Sequence, residues 1–445
     1  MQKLTLPVWL AVLLPAALVL AGCGGSGSSE PVGSSSVGAG AVDGDKDDIT
    51  GSTLVAYAAG DEAHDWPRWR GPAADGISRE TTWRSNWNEQ PPKVLWQAEL
   101  GKGYSSFAVS DGRVYTLGHS DNRETVWCFD AATGAVVWSH SYPGGLNPNL
   151  HTGGPAATPT IDGDRVYTLG KEGQLHCLNK ADGKVQWNLD LTELLGVEVP
   201  EWGFACSPLV VNEKLVIDAG RVVALNKNNG QVIWQTERHR AGYGSPAAFE
   251  QGGTPLVAVL NNDALLILRL ADGSLVARQD WTTDFVTTAT TPIVQGDRIF
   301  ISSGYNTGCA MYRLADGKLT QLYRNRDMSN HMNNCVLWQG HLYGFDGNSH
   351  NARNVRLVCL DASTGEEKWA QRGLGCGSLK LADGKLLILS DDGRLVLAAA
   401  SPAGYQELAT AQVLERTCWT VPVLSHGRIY CRNDAGQMAC VDVSK

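Results

Sequence analysis

A ten-residue unit recurs along the chain and constrains its fold more than any other feature. In each copy an apolar residue and an Asp or Asn lead into a turn containing Gly, and an extended run then ends in Trp. Four copies keep the same spacing from Gly to Trp, namely Phe129–Trp138, Leu178–Trp187, Leu225–Trp234 and Leu360–Trp369. Gly suits a hairpin position with positive φ. We call the final residue the docking tryptophan, because its fixed place predicts a packing role in each repeat.

A second pattern makes the period measurable. A turn with a basic residue precedes a β-branched or aromatic run in most repeats, and Arg113 and Arg428 lie seven repeats apart, which gives 45 residues per repeat. A Pro lies six residues before the basic position at Pro159, Pro208 and Pro292, and Pro is tolerated at the start of a strand. This period, with four short strands per repeat, predicts an all-β fold, an eight-bladed β-propeller.

The two ends of the repeat region predict how the ring closes. The eighth repeat ends near Val443, before its fourth strand, whereas a spare strand, Lys93–Leu100, precedes the first repeat. We expect this strand to complete the last blade, with Trp96 as its docking tryptophan, because closure removes exposed sheet edges. Three repeats lack the Trp: Ala277 and Gln321 stand in its place in two of them, and the 401–408 repeat has none.

The N-terminus has the features of a secretory signal. Lys3 precedes an apolar run over residues 4–20, and the run ends in Leu-Ala-Gly followed by Cys23. This ending resembles the bacterial lipobox, which implies that Cys23 is lipidated. The alternative is a transmembrane anchor, but the run is short for a span and contains Pro7 and Pro15.

The segment after the lipobox predicts a tether. Residues 24–63 are rich in Gly, Ser and Asp and poor in large apolar side chains, so we expect a flexible linker. The propeller is then expected over residues 64–443. Gly24, rather than Asp, follows the lipobox cysteine, and this favours the outer membrane, with the propeller facing the periplasm.

Charge and cysteine content narrow the function further. The net charge of −9 argues against nucleic acid as a partner. The 11 Cys residues form no Cys-x-x-Cys or zinc pattern, so no metal is expected. Disulfides are allowed in the envelope. Cys431 and Cys440, on the two arms of one predicted hairpin, form a candidate pair, and the other thiols are expected to be buried and free.

The repeat motif resembles that of a known family. Asp130–Trp138 and Asp361–Trp369 read Asp-x-x-Thr-Gly-x-x-x-Trp, which resembles the docking motif of the PQQ-like (pyrroloquinoline quinone) propeller family. That family includes quinoprotein alcohol dehydrogenases and a lipoprotein branch with BamB of the β-barrel assembly machine. Longer stretches similar to a lipoprotein branch are Asp65–Pro72, Trp202–Pro208, Ser302–Ala310 and Cys418–Leu424.

The resemblance implies two classes of function. A quinoprotein dehydrogenase would hold PQQ with Ca²⁺ in the central funnel, beside two adjacent linked Cys, yet the chain has no Cys-Cys pair. We therefore expect a non-catalytic, monomeric scaffold without a cofactor, similar to the barrel assembly lipoprotein and bound to envelope or outer-membrane proteins. The alternative is a PQQ-dependent alcohol dehydrogenase or a small-ligand-binding propeller.

Repeat alignment places a ring of polar and aromatic residues at one end of the funnel. Glu201 with His151 or His331 is the one acid–imidazole pairing in this ring that could serve acid–base chemistry; the alternative is that these groups bond to nearby backbone and water. Two further segments, Gly344–Arg353 and Thr192–Pro200, are candidate partner contacts. The candidate ligand site within this ring comprises His151, Glu201, Trp202, Tyr243, His331, Asn333, Asn334 and Trp419.

Overall fold

Eight blades of four antiparallel strands each form a β-propeller, and one of the eight sheets carries a short fifth strand. The computed structural model describes residues 64–415 and 417–445. The predicted signal sequence with Cys23 and the 24–63 linker therefore lie outside the described residues. No helix in the described part is long and apolar enough to cross a membrane.

Within each blade the first strand is the innermost and the fourth strand is the outermost. First strands of neighbouring blades contact one another around the central channel. Blades one to four comprise Ala108–Ser110, Arg113–Ser120, Arg123–Asp130 and Val136–Pro143; Thr160–Asp162, Arg165–Leu169, Gln174–Asn179 and Val185–Asp190; Leu209–Val211, Lys214–Asp218, Val222–Asn226 and Val232–Gln235; and Ala247–Gln251, Thr254–Leu260, Ala264–Arg269 and Leu275–Asp280. Blades five to seven comprise Ile293–Gln295, Arg298–Ser303, Gly308–Ala315 and Lys318–Asn325; Val336–Trp338, His341–Asp346, Arg356–Asp361 and Glu367–Gln371; and Ser378–Ala382, Lys385–Leu389, Arg394–Ala399 and Glu407–Gln412.

The eighth blade confirms the predicted closure. Its first three strands are Val423–Ser425, Arg428–Arg432 and Gln437–Asp442, and its outer strand is Lys93–Glu99. Trp96 pairs with Cys440 in an antiparallel register. Joining the two ends of the repeat region in one sheet leaves no open seam between the first and last blades.

The docking tryptophans bind the next blade in two ways. The indole Nε1 atoms of Trp96, Trp138, Trp187, Trp234 and Trp369 each donate to a backbone carbonyl in the last hairpin of the following blade, at 2.8–3.1 Å. Four of these rings also cover the turn glycine of the next blade, where an added Cβ would approach the ring to 3.0 Å or less. The glycine is thus required by its positive φ and by the ring above it.

The structure corrects the assignment of the docking position in blade five. A bulge skips Leu322, so that Tyr323 faces Met311 as Trp138 faces Cys128 in blade one. The Tyr323 ring covers the turn glycine of blade six, as the docking tryptophans do elsewhere. Gln321 is therefore not the docking residue. The fourth strand of blade five begins directly after a two-residue turn, so its docking position lies six residues after the turn glycine and not four.

Blade seven has no docking tryptophan. The next blade, blade eight, has no turn between its third and fourth strands that such a tryptophan could cover. Ala409 occupies the docking position, and the last hairpin of blade eight is replaced there by the two ends of the repeat region. Trp83 and Trp87, from the segment before the first repeat, are buried in the same core cluster as Ala409. Trp83 also forms a bridge with Ser444, so N-terminal side chains fill the space at the closure.

The segment before the first repeat crosses the propeller. Trp66 exchanges backbone hydrogen bonds with Val109 of blade one. The side chains of the next residues then reach three further blades: Arg68 donates to Val210 O, Trp69 to Thr291 Oγ1 and Arg70 to Cys335 O. The short strand Ile77–Ser78 finally pairs in parallel with blade seven. This crossing segment, residues 66–78, lies across the central channel and ties distant blades together.

The helical content is small. The one α-helix in the described part, Leu191–Leu195, is capped by Asp190, whose carboxylate accepts from the Thr192 and Glu193 amides. Its Leu191 and Leu195 are buried in the core between blades two and three, whereas Leu194 and Val199 of the 192–200 segment are exposed. The role of this segment as a partner contact stays a prediction. Two 3₁₀ turns follow at Asp284–Val286 and Ser349–Asn354.

All ten described cysteines are free and buried, which makes the predicted Cys431–Cys440 pair wrong. Cys431 is opposite Ala439, and Cys440 is opposite Tyr430. Adjacent positions on a strand point to opposite faces, and the two thiols accordingly lie in different core clusters. The sequence prediction placed both cysteines on one face of the hairpin, because it set the pairing of the two strands one residue away from the observed register.

Candidate functional site

A large cavity opens at the end of the channel where the first strands of the blades begin. Its volume is about 960 Å³, within the range of small-molecule sites. Trp69 of the crossing segment contributes to its wall, and its Nε1 donates to Thr291 Oγ1 at 3.1 Å. Trp69 therefore brings the crossing segment to the wall of this cavity, which we call the funnel.

Seven of the eight residues predicted for the funnel line this cavity. Asn334 is the exception: its side chain donates to Thr291 O at 2.6 Å and accepts from Thr291 N at 3.0 Å, so it fastens blade six to blade five. The seven lining residues are His151, Glu201, Trp202, Tyr243, His331, Asn333 and Trp419. Their role in binding stays a proposal.

Loops away from the starts of the first strands add lining residues that the repeat alignment did not identify. Tyr305 and His350 come from loops between the second and third strands of blades five and six, and Phe285 comes from the connection between blades four and five. The 344–353 segment, predicted as a partner contact, therefore contributes to the funnel through His350. An aromatic residue in a long loop was the one available sequence signal.

Three stacked pairs of rings line the cavity. Tyr104 stacks on Trp419 with centroids 5.7 Å apart, and Trp202 lies near Tyr243 at 6.5 Å. Tyr305 stacks on His350 at 5.9 Å. The pairs belong to different blades, so aromatic faces line several sides of the funnel. Such faces carry a negative quadrupole that attracts C–H and cationic groups.

The half-buried imidazoles of His151 and His331 in the funnel are neutral donors. Nδ1 of His151 accepts from Gly153 N at 2.8 Å, and Nδ1 of His331 accepts from Ser349 N at 3.2 Å. With Nδ1 as an acceptor, the neutral ring carries its proton on Nε2. Burial lowers the pKa of both His151 and His331 to about 4, so neither ring is charged near neutral pH.

The predicted acid–imidazole pair is absent from the described residues. The carboxylate of Glu201 accepts from Asn149 Nδ2 at 3.0 Å, and no hydrogen bond joins it to His151 or His331. Glu201 is exposed at the mouth of the funnel, whereas both imidazoles are held by backbone amides. The arrangement does not provide a general acid–base pair.

Lys171 is the one basic side chain among the lining residues. It is 2% exposed, and its Nζ lies 3.4 Å from Gly154 O. Burial lowers the pKa of Lys171 to about 8, and the nearby Glu124 opposes this shift. Glu124 is fully buried and accepts from the Lys171 amide and from Tyr142 Oη. The funnel therefore has little charge available for a ligand.

A chain of hydroxyl and amide groups fixes the wall behind the funnel. Thr158 N donates to Ser207 Oγ at 2.9 Å, Ser207 N to Ser245 Oγ at 2.9 Å and Ser245 N to Thr291 Oγ1 at 3.2 Å. Thr291 N then donates to Asn334 Oδ1. Four of these residues directly precede the repeat proline, a Ser/Thr-Pro signal that the period analysis did not use.

A family model described as outer membrane protein assembly factor BamB matches residues 73–150 and 122–371. The chain belongs to the BamB family. It is 26% identical over 376 residues to the outer membrane protein assembly factor BamB of Escherichia coli, covering 69% of this chain and 88% of that protein. The BamB of Shewanella oneidensis is 23% identical, with 79% and 89% covered.

Solved structures share the fold with this BamB-family chain. The crystal structure of BamB from Moraxella catarrhalis has a TM-score of 0.57 and 14% identity, covering 79% of this chain and 97% of that one. Quinohemoprotein alcohol dehydrogenase from Comamonas testosteroni has a TM-score of 0.66 and 13% identity, covering 88% and 83%. At these identities the likeness shows the propeller fold alone.

The lining residues do not fit a calcium-bound quinone. Ca²⁺ needs six to eight oxygen ligands that converge on one point. In the described part of the chain no group of three or more His, Cys, Asp or Glu side chains is arranged to hold a metal ion. The acidic lining residues, Glu201 and Asp284, are both exposed. The expectation of no cofactor stays a prediction.

Proposed function

We propose that this protein is a non-catalytic scaffold of the cell envelope that takes part in outer membrane protein assembly. The observation that carries the proposal is membership of the BamB family, with the match extending over nearly the whole length of the relatives. Their name states the process. Within the funnel, Glu201 bonds to Asn149 and forms no hydrogen bond with His151 or His331.

An apolar stripe on the outer strands is the surface proposed for the partner. Blades eight, one, two, three and four follow one another around the ring. In each of them, apolar side chains just before the docking position are 41–58% exposed. Blades six and seven carry Glu367, Lys368 and Glu407 at the matching place. Repetition of exposed apolar side chains at one position in neighbouring blades is consistent with an interaction surface. The stripe comprises Val94, Leu95, Val136, Val137, Val185, Val232, Ile233 and Leu275.

Main-chain groups of the same strands offer a second mode of contact. The strand that carries the stripe is the last in each sheet, and its outer edge pairs with no other described strand. An open edge can accept an added strand from a partner, with side chains of that strand giving specificity. We therefore propose that envelope or outer-membrane proteins bind the outer face of blades eight to four.

The proposal includes a lipid anchor. Cys23 ends the predicted lipobox, and 24–63 provides a tether between it and the propeller. Acyl chains at Cys23 would hold the ring, as a monomer, at a membrane surface. The outer membrane, facing the periplasm, is the proposed location.

Deleting the gene in its own host tests the function. We expect folded outer membrane proteins to decrease, and the full-length chain to restore them. Cys23→Ser should release the protein into the soluble fraction and restore less. An unchanged amount of folded outer membrane protein in the deletion strain would show that the proposal is wrong.

A pair of matched variants tests the surface. Val136→Asp charges the stripe in blade one, and Gln321→Asp places the same group at the same repeat position in blade five. Both positions are exposed, so both proteins should fold. We expect the blade-one variant to restore less function than the blade-five control, and equal restoration would contradict the proposed surface.

A further inference from the structure

The funnel has a composition that scaffolding alone does not explain. Its wall combines three stacked aromatic pairs with side-chain amides, hydroxyls and two neutral imidazoles. Charged lining residues are few: Lys171 is almost fully buried, and Glu201 and Asp284 are exposed. We propose that the funnel is a binding site for a neutral oligosaccharide.

The aromatic pairs select a ligand with C–H faces. Tyr104 and Trp419 lie within 17° of parallel, and Trp202 and Tyr243 within 23°. A sugar ring presents a face of polarised C–H groups to an aromatic ring, and the electron-rich ring face attracts them. Pairs on different blades could contact successive sugar rings, because the 960 Å³ cavity has room for more than one.

The polar groups of the wall select hydroxyl-rich edges. His151 and His331 are held by backbone amides at Nδ1, which leaves Nε2–H as the donor of each ring. Trp202 Nε1 is buried and, within residues 64–415 and 417–445, has no hydrogen-bond partner. The two imidazole N–H groups need acceptors on a ligand. Sugar hydroxyl and ring oxygens are such acceptors.

The mouth of the funnel offers apolar groups that can close over a ligand. Leu150 is 94% exposed and Phe285 is 66% exposed, and both have positive φ. Positive φ is uncommon for such residues and is associated with functional loops. The Phe285 ring contacts Tyr305 at 4.9 Å between centroids, so it extends the aromatic wall outwards.

Two other ligand classes fit less well. A planar polyanion such as a quinone carboxylate needs cationic partners, but Lys171 is the one basic lining residue and its Nζ already lies near Gly154 O. An acyl chain needs an apolar wall, and burying the Trp202 N–H and the imidazole N–H groups against hydrocarbon would leave them unpaired. The uncharged polar wall with aromatic faces favours a saccharide.

Binding is measured on the full chain in a detergent without a sugar headgroup. The probes are maltotriose and triacetylchitotriose. We expect at least one probe to show saturation transfer to its ring C–H protons by NMR and a saturable calorimetric signal with a Kd below about 1 mM. If neither probe binds, or if pyrroloquinoline quinone binds and both saccharides do not, the proposal is wrong.

Matched variants locate the site. Trp202→Leu removes a ring and the unpaired N–H, and Tyr305→Leu removes a ring on another side of the funnel. Each should weaken binding at least about tenfold. Trp338→Leu alters a partly exposed Trp that does not line the cavity and should leave the Kd unchanged. Circular dichroism verifies folding of each variant. Folded Trp202 and Tyr305 variants with unchanged Kd would overturn the proposal. This test is independent of outer membrane protein assembly.

Discussion

Trp138 of blade one covers Gly183 of blade two. Its Nε1 donates to Lys180 O at 2.9 Å, and a Cβ added to Gly183 would lie 2.6 Å from Cε3 of the indole. The same relation recurs between Trp96 and Gly134. The repeat motif thus encodes contacts between blades, where its Trp lies at the outer strand and not at the funnel.

Trp138→Ala tests this role. The side chain is 7% exposed, so its removal leaves a cavity and an unpaired carbonyl between blades. We expect the free energy of unfolding, measured in urea, to fall by roughly 3–5 kcal/mol. Ligand binding by the folded variant should be unchanged. Lost binding with intact structure would show that the motif acts on the funnel.

Gly183→Ala tests the other half of the contact. Gly183 and Gly163 both have positive φ, but an added Cβ meets Trp138 at the first and nothing within 4 Å at the second. Gly163→Ala should therefore cost only the backbone term, about 1–2 kcal/mol. Gly183→Ala should cost about 1–3 kcal/mol more because of overpacking. Equal losses in urea unfolding would mean that the ring moves aside freely.

The blade count and the closing strand followed from sequence because the Gly–Trp spacing is set by local hairpin geometry. Where the hairpin changed, the prediction failed. In blade five the chain turns over Asp316 and Gly317 and the fourth strand continues to Asn325, which moves the docking position to Tyr323. Periodicity also could not place Trp69 or Trp83, because their segment precedes the first repeat.

The sequence period could place those funnel residues that occupy equivalent positions in successive repeats. Residues just before the first strands of successive blades converge on one ring, and His151, Trp202 and His331 accordingly line the cavity. Asn334 is adjacent to a lining residue but points into the contact with blade five. Tyr305 lies in the loop between the second and third strands of blade five, whereas the repeat alignment considered only the starts of the first strands.

Ser245→Ala tests the chain of hydrogen bonds behind the funnel. Ser245 Oγ accepts from Ser207 N at 2.9 Å, and both residues are buried. Removing the hydroxyl leaves the Ser207 amide without its acceptor, at a cost of about 1–3 kcal/mol in unfolding free energy. Ser274→Ala, which removes an exposed hydroxyl bonded to Asp272, is the control and should cost less than about 0.5 kcal/mol. Similar losses would indicate that water replaces the bond.

The pair of His239 and Asp218 predicts a pH dependence of stability. His239 Nε2 lies 2.7 Å from Asp218 Oδ1, and the Asp218 side chain is fully buried. Burial of the imidazole opposes its protonation, but the charge and hydrogen bond of Asp218 outweigh this and raise the pKa of His239 above 6.5. The folded protein therefore holds this proton more tightly than the unfolded chain does.

The sign of the pH effect follows from this linkage. Stability from the protonated pair is fully present below about pH 6.5 and is lost as the pH rises through the raised pKa of His239. We expect the free energy of unfolding in urea to decrease between pH 6 and pH 9 in the wild type. His239→Gln should remove this component of the slope, and at pH 6 it should destabilise the fold by about 3–5 kcal/mol, because a buried carboxylate loses its partner. An identical slope in the two proteins would show that the imidazole does not titrate with folding, and the pair would then be a neutral hydrogen bond.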